Sequence, residues 1–215
     1  MITFICALPQ EAKHLRNLAS VQNGHTQLIC SGVGPRNAER ATRKLLAAFK
    51  PTLVISTGVA GALSPSLRIG DVIVAAEVVD DSSGQRFACT RHSALSTQHS
   101  ALLSVSHMIT SAAEKKTLGQ KSGAIAVDME SAAIARLCLE HGVPFAAIRA
   151  ISDTAEEVLP EAVTRFFNES GGLRPVRVLV ELLKQPSLLR ALRRLQVQTT
   201  TASESLCRLL QSHPM

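Results

Sequence analysis

Two acidic side chains that end long apolar runs define the chemistry open to this chain. Gly123–Val127 reads as a buried strand running through Asp128 and Met129 into Glu130. Val143–Ile151 reads as a second, running through Ser152 into Asp153. Carboxylates at neighbouring strand ends of an α/β sheet share the crevice where such sheets bind ligands. In a half-dry crevice two carboxylates can be driven to different protonation states, one a proton donor and the other an anion. The pair suits a reaction in which a leaving group takes a proton while positive charge develops nearby. Each acid also has a plainer reading. Glu130 is favourable against a helix N-terminus, and Asp153, or Ser152 equally well, caps a helix starting near Glu156. Arg149 is harder to dismiss, because a buried guanidinium needs a partner.

A third acid, Glu11, stands after the first strand in Leu8-Pro9-Gln10-Glu11, as a solvated first-turn glutamate or a catalytic one. Two glycine-rich stretches, Ser31-Gly32-Val33-Gly34 and Thr57-Gly58-Val59-Ala60-Gly61, also leave strand ends. They read as tight turns, either plain or with N–H groups that cradle an anion. Gly34 does not open a dinucleotide fingerprint, because the third glycine is missing.

The elements that must position these groups alternate. Strands are expected at Thr3–Leu8, Gln27–Cys30, Thr52–Ser56 and Asp71–Val79, with helices over Gln10–Leu18 and Arg36–Phe49. Residues 80–100 are polar without a period and read as loop. Ser104–Thr110 reads as a short strand, Ala112–Leu118 and Ser131–His141 as helices, and Glu156–Asn168 as helical before Gly171-Gly172. Such alternation argues an α/β layer sandwich around one sheet. Residues 1–173 form this domain, and 174–215 are a basic helical extension of it.

A chain of 215 residues is long enough for one sizeable core. Hydrophobic content of 46% against 19% charged argues against disorder away from the termini. No apolar run reaches bilayer length, and Met-Ile-Thr-Phe-Ile-Cys has no basic lead, so a cytoplasmic protein is expected. The five cysteines are widely spaced with no Cys-x-x-Cys pair, and the seven histidines lack ligand spacing; no metal is expected. Residues 174–215 carry seven Arg or Lys and two Glu, so most of the net charge of +6 lies in the tail. Arg174–Lys184 and Ser187–Leu195, broken at Pro186, read as helices packed on the sheet with solvated arginines, or as basic amphipathic helices on an anionic membrane surface. Without Trp or Tyr, and without a recognised module, nucleic acid is not an expected partner.

Four ordered motifs give a sharper reading: Ser56–Leu63, Gly70–Val74, Ala126–Glu130 and Arg149–Asp153. With the loops they resemble the nucleoside phosphorylase superfamily, in particular its 5′-methylthioadenosine/S-adenosylhomocysteine nucleosidases. The resemblance runs from Ile2 to about Glu157, except for residues 80–103. The compact size, the Thr110–Lys115 segment and the basic Leu-rich tail look like the hopanoid-associated phosphorylases. The resemblance implies a three-layer sandwich, a central mixed sheet flanked by helices. It implies an enzyme that cleaves the N-glycosidic bond of an adenine nucleoside modified at the 5′ position. The cleavage is phosphorolysis or hydrolysis, and the substrate an adenosyl-hopanoid or the smaller nucleosides of the nucleosidases. No cofactor is implied beyond inorganic phosphate as a co-substrate, and a homo-oligomer is implied. A non-catalytic nucleoside-binding protein on the same fold is the reading from another class.

Residue by residue, Asp153 matches the proton donor to purine N7, and Glu130 the carboxylate that grips the ribose 2′- and 3′-hydroxyls. Met129 matches the apolar residue beneath the ribose. Val59, Ala60 and Gly61 match the loop near the base and the nucleophile. Ser152 and Arg149 flank the acid and orient it or pair with a nearby carboxylate. Glu11 falls where the nucleosidases place the base that activates water. Its loop has no Arg for phosphate, which favours hydrolysis or a phosphate site built from Gly34, Arg36 or Arg68. One departure is the span between Asp80 and Glu130, 49 residues, shorter than the family segment that supplies base contacts and dimer interface. It leaves base specificity and oligomeric state open and is compatible with a bulky 5′ group.

Overall fold

The computed structural model describes residues 1–90, 99–166, 180–181, 184–185 and 188–212, without the side chains of residues 19, 20, 99, 161, 164 and 165. The Gly171-Gly172 break, the start of the tail and the break at Pro186 lie outside the described residues.

Eight strands form one mixed sheet: β1 (Ile2–Cys6), β2 (Thr26–Cys30), β3 (Leu53–Ala62), β4 (Val72–Asp80), β5 (Arg86–Ala88), β6 (His99–Ser104), β7 (Ala124–Asp128) and β8 (Phe145–Asp153). The helices are α1 (Pro9–Leu15), α2 (Ala19–Gln22), α3 (Pro35–Ala48), α4 (Ala112–Ser122), α5 (Ser131–Glu140) and α6 (Leu188–Ser212), with a 3₁₀ helix at Glu161–Phe166. β8 is buried at every position, as a strand covered on both faces must be. Its side chains alternate between two cores. Phe145, Ala147 and Ile151 pack with Ala38 and Leu45 of α3 and Ile134 and Cys138 of α5. Ala146, Ile148 and Ala150 pack with Leu15 of α1 and with Ala202, Leu206 and Leu210 of α6. The expected three layers are thus helices, sheet, helices.

The sheet is not open. β8 lies between β3, its parallel neighbour, and β4, its antiparallel one. From β4 the pairing passes through β6 to β7, and β7 returns to the end of β3 at Gly61–Val127 and Ala62–Ala126. Five strands therefore close a ring, and β1 with β2 extends it beside the first half of β3.

Several elements differ from the sequence reading. The stretch Thr57–Gly61 is not a turn but the continuation of β3, because β8 and β7 supply its hydrogen-bond partners. The stretch read as loop contains β5 paired to β4, and β6 ends at Ser104 rather than beginning there. Short polar strands survive here because neighbouring strands bond their backbones, which no side-chain period reveals. Among the described residues no helix begins near Glu156; the chain turns after β8 and forms a 3₁₀ helix after Pro160, with Asn168 outside the described residues. Beyond the two segments read in the tail, α6 packs on the sheet: Ala202, Leu206 and Leu210, each four residues from the next, are buried there, while within Ser187–Leu195 the buried Leu188 packs with Val163 and Phe166. Among the described residues no helix is long and apolar enough to cross a membrane.

Candidate active site

The second half of β3 is the floor on which Glu11 and Asp153 lie. Gly61 pairs with Val127 of β7 on one side and Asp153 of β8 on the other, so the ends that lead to Glu130 and Asp153 meet across one residue. The pairing with β8 steps from Ala60–Ile151 to Gly61–Asp153, skipping Ser152. Such a bulge re-aims a side chain. Here it brings the Asp153 carboxylate over Gly61, where a β-carbon would stand 3.0 Å from Oδ2. The Ser152 hydroxyl lies 2.8 Å from Asp153 Oδ1 and 3.3 Å from the Ala60 carbonyl, and its one proton can go to either.

Glu11 comes in from α1. Its Oε2 accepts the N–H groups of Leu8 at 2.8 Å and Ala7 at 3.0 Å, and its Oε1 accepts the N–H of Val59 at 2.9 Å. The bond back to Leu8 is half of a capping box. The carboxylate is nevertheless buried, not the solvated first-turn acid of the plainer reading. It lies so close to β3 that a β-carbon on Gly58 would come within 2.5 Å of Oε1. Burial pushes its proton affinity up, against the pull of three N–H donors and of Arg149.

Glu130 stands at the N-terminus of α5 but does not cap it. Its Oε1 accepts the N–H of Gly34 at 2.7 Å, so one N–H of the Ser31–Gly34 loop meets the protein's own carboxylate. Met129 borders the same glycine. Burial first, then the charges of Asp128 and Glu11, push Glu130 up to about 7, against Arg149 and the Gly34 bond. The side chains that meet the start of α5 are Asp128, which accepts the Ser131 N–H at 3.2 Å, and Ser104, whose Oγ accepts the Ala132 N–H at 3.2 Å.

Arg149 does not touch Asp153. Its Nε and Nη2 donate to Asp128 Oδ2 at 2.9 and 2.6 Å, and Nη2 also donates to Ser56 Oγ at 2.7 Å and Ser131 Oγ at 3.1 Å. Of the two roles expected for it, this is pairing with a nearby carboxylate. Burial works against its charge, but Asp128, Glu130 and Glu11 outweigh that and hold it protonated. The arrangement can therefore keep negative carboxylates in a nearly dry site.

Lys115 of α4 enters the sequence reading only as the end of the Thr110–Lys115 segment, with no role at the site, because a lysine in a polar helix reads as solvated. It is 1% exposed. Its Nζ donates to Asp153 Oδ2 at 2.5 Å, to the Thr154 carbonyl at 2.7 Å and to the Glu157 carbonyl at 3.2 Å. Asp128 was legible only as part of the Asp-Met-Glu motif. The Val59 N–H meets Glu11 and Gly61 lies against Asp153, with Ala60 between them in the α3–α5 core.

Comparison with known proteins places these features in a family. The model of the phosphorylase superfamily matches residues 2–101 and 86–184. The 5′-methylthioadenosine/S-adenosylhomocysteine nucleosidase of Geobacillus kaustophilus is 34% identical over 158 residues, 60% of this chain and 67% of that protein. The enzyme of that name from Haemophilus ducreyi is 30% identical over 199 residues, 73% of this chain and 86% of that protein. A futalosine hydrolase mutant of Helicobacter pylori superposes with a TM-score of 0.73 at 19% identity, over 99% of this chain and 97% of that one, and so shares the fold.

Proposed function

Because the chain belongs to the phosphorylase superfamily, we propose that it is a nucleosidase, hydrolysing the N-glycosidic bond of an adenine nucleoside that carries a substituent at the 5′ carbon. The observation that supports this most is that two buried carboxylates, Glu11 and Asp153, lie against Gly58 and Gly61 of β3, while a third, Glu130, is buried on Gly34 beyond the end of the β7 strand that pairs with Gly61. The names of the sequence relatives point the same way.

Glu130 as an anion accepts the ribose 2′- and 3′-hydroxyls, and its charge stabilises the oxocarbenium-like sugar. Met129 lies beneath the ribose. Glu11, whose proton affinity burial has raised, takes a proton from the attacking water as its oxygen bonds to C1′. The electron pair of the C1′–N9 bond leaves with the purine, and Asp153 delivers a proton to N7. Ser152 steadies the acid. Val59, Ala60 and Gly61 border the base and the nucleophile, with the Val59 N–H bonded to Glu11. Arg149 acts behind them through Asp128. The short span between Asp80 and Glu130 is compatible with a bulky 5′ group, up to the size of an adenosyl lipid.

The test is mass-spectrometric analysis of products from 5′-substituted adenosines, with and without phosphate. Free adenine and the free substituted sugar, formed without phosphate, are expected. A sugar 1-phosphate formed only with phosphate would turn the reading to phosphorolysis. Asp153→Asn is expected to lower kcat by about 10²- to 10⁴-fold while the fold survives. An Asp153→Asn protein of full activity would end the assignment.

A further inference from the structure

Lys115 is the buried cation that the reaction above leaves unused. Burying an ammonium is costly unless it is paired and fully hydrogen-bonded. This one uses all three of its donors, on one carboxylate oxygen and two carbonyls. It has no N–H left for a base or a ribose, so whatever it does for a substrate it does through Asp153. The other charged groups of the site have partners of their own. Arg149 of β8 is tied to Asp128 of β7, Glu130 to Gly34, and Glu11 to the backbone just ahead of α1 and to that of β3. The Glu157 carboxylate turns to Arg194 and Gln198 of α6. Lys115 is the one charged side chain bonded to Asp153 among the described residues.

We infer that Lys115 is a positioning residue for departure of the base: it holds Asp153 and the segment behind it in place, and its charge stabilises the carboxylate left when the proton passes to the purine. The inference rests on Asp153 being the proton donor to N7. The bookkeeping is simple. The Asp153 O–H bond breaks as the N7–H bond forms, the C1′–N9 pair leaves on the purine, and the negative charge gained by Asp153 faces the ammonium. An interaction that strengthens as charge develops lowers the barrier rather than tightening ground-state binding. Its loss should therefore appear in kcat, and only for a leaving group that needs a proton.

The experiment compares two substrates with the same sugar, 5′-methylthioadenosine and the corresponding p-nitrophenyl riboside, whose phenolate leaves without protonation. For Lys115→Met, kcat on 5′-methylthioadenosine is expected to fall by about 10²-fold or more. KM and the rate on the p-nitrophenyl riboside should stay within about threefold of the parent, since neither draws on proton donation to the leaving group. Equal losses on both substrates would reduce Lys115 to a scaffold, and an unchanged purine rate would remove it from the reaction; either overturns the inference. If the Met variant does not fold, Lys115→Gln, which keeps a donor for the carbonyls, carries the same comparison. Asp153→Asn in the same assay separates the two ideas. If it cleaves the purine nucleoside normally, the reading of Asp153 fails; if it is inactive while Lys115→Met is not impaired, only the role of Lys115 fails.

Discussion

Glu130 shows how one carboxylate is held where its own solvation opposes it. Its proton affinity lies above the ordinary value of 4.5, at about 7. Between those two pH values the folded chain binds a proton that the unfolded chain has released, so stability falls as pH rises through that window. Glu130→Gln removes the charge and keeps an acceptor for the Gly34 N–H. It is expected to stabilise the protein at pH 8 by on the order of 3 kcal/mol, several degrees in Tm. At pH 5 the gain should nearly vanish, and scanning calorimetry at the two values checks this. The same variant is expected to raise KM at least tenfold, since a neutral amide is a poorer acceptor for the ribose hydroxyls. An equal Tm offset at both pH values would mean that the carboxylate is not the source of the strain.

At the scale of elements, β3 does what a loop was expected to do. The glycines of Thr57–Gly61 are needed because acids from α1 and β8 lie on the strand, not because the chain turns. Gly58 combines a φ of 140° with a β-carbon position 2.5 Å from Glu11, whereas Gly84, with a φ of 71°, has open space around it. Gly58→Ala is therefore expected to cost about 2–4 kcal/mol and to displace Glu11, lowering hydrolysis by about 10²-fold. Gly84→Ala should cost only about 1 kcal/mol and leave turnover intact. Urea melts and initial rates on the pair separate crowding from backbone strain. Equal effects of the two would remove the close-approach argument.

Across the whole molecule, α6 is structural and reaches the site indirectly. It covers one face of β3, β4 and β8, and its Arg194 and Gln198 hold Glu157, whose carbonyl receives Lys115. Leu206→Ala, at a side chain 2% exposed, is expected to cost about 2–5 kcal/mol in one cooperative transition. A melt unchanged by this substitution would make α6 an appendage. Four of the tail's basic residues, Arg190, Arg193, Arg194 and Arg208, are exposed on a helix whose inner face joins the core.

Layer order, most strands and the three acids were legible in the sequence, because period-2 and helical spacing report burial and because the four motifs are local. The residues around the acids were legible only as types. The closure of the sheet, the bulge at Ser152, the partner of Arg149 and the burial of Lys115 depend on contacts between segments far apart in the chain. Lys115 and Asp153 lie 38 positions apart, and Arg149 and Ser56 lie 93 apart. A single sequence lists the groups that can pair; which of them do is decided by packing, because in a dry interior each charge must find its partner or not be there.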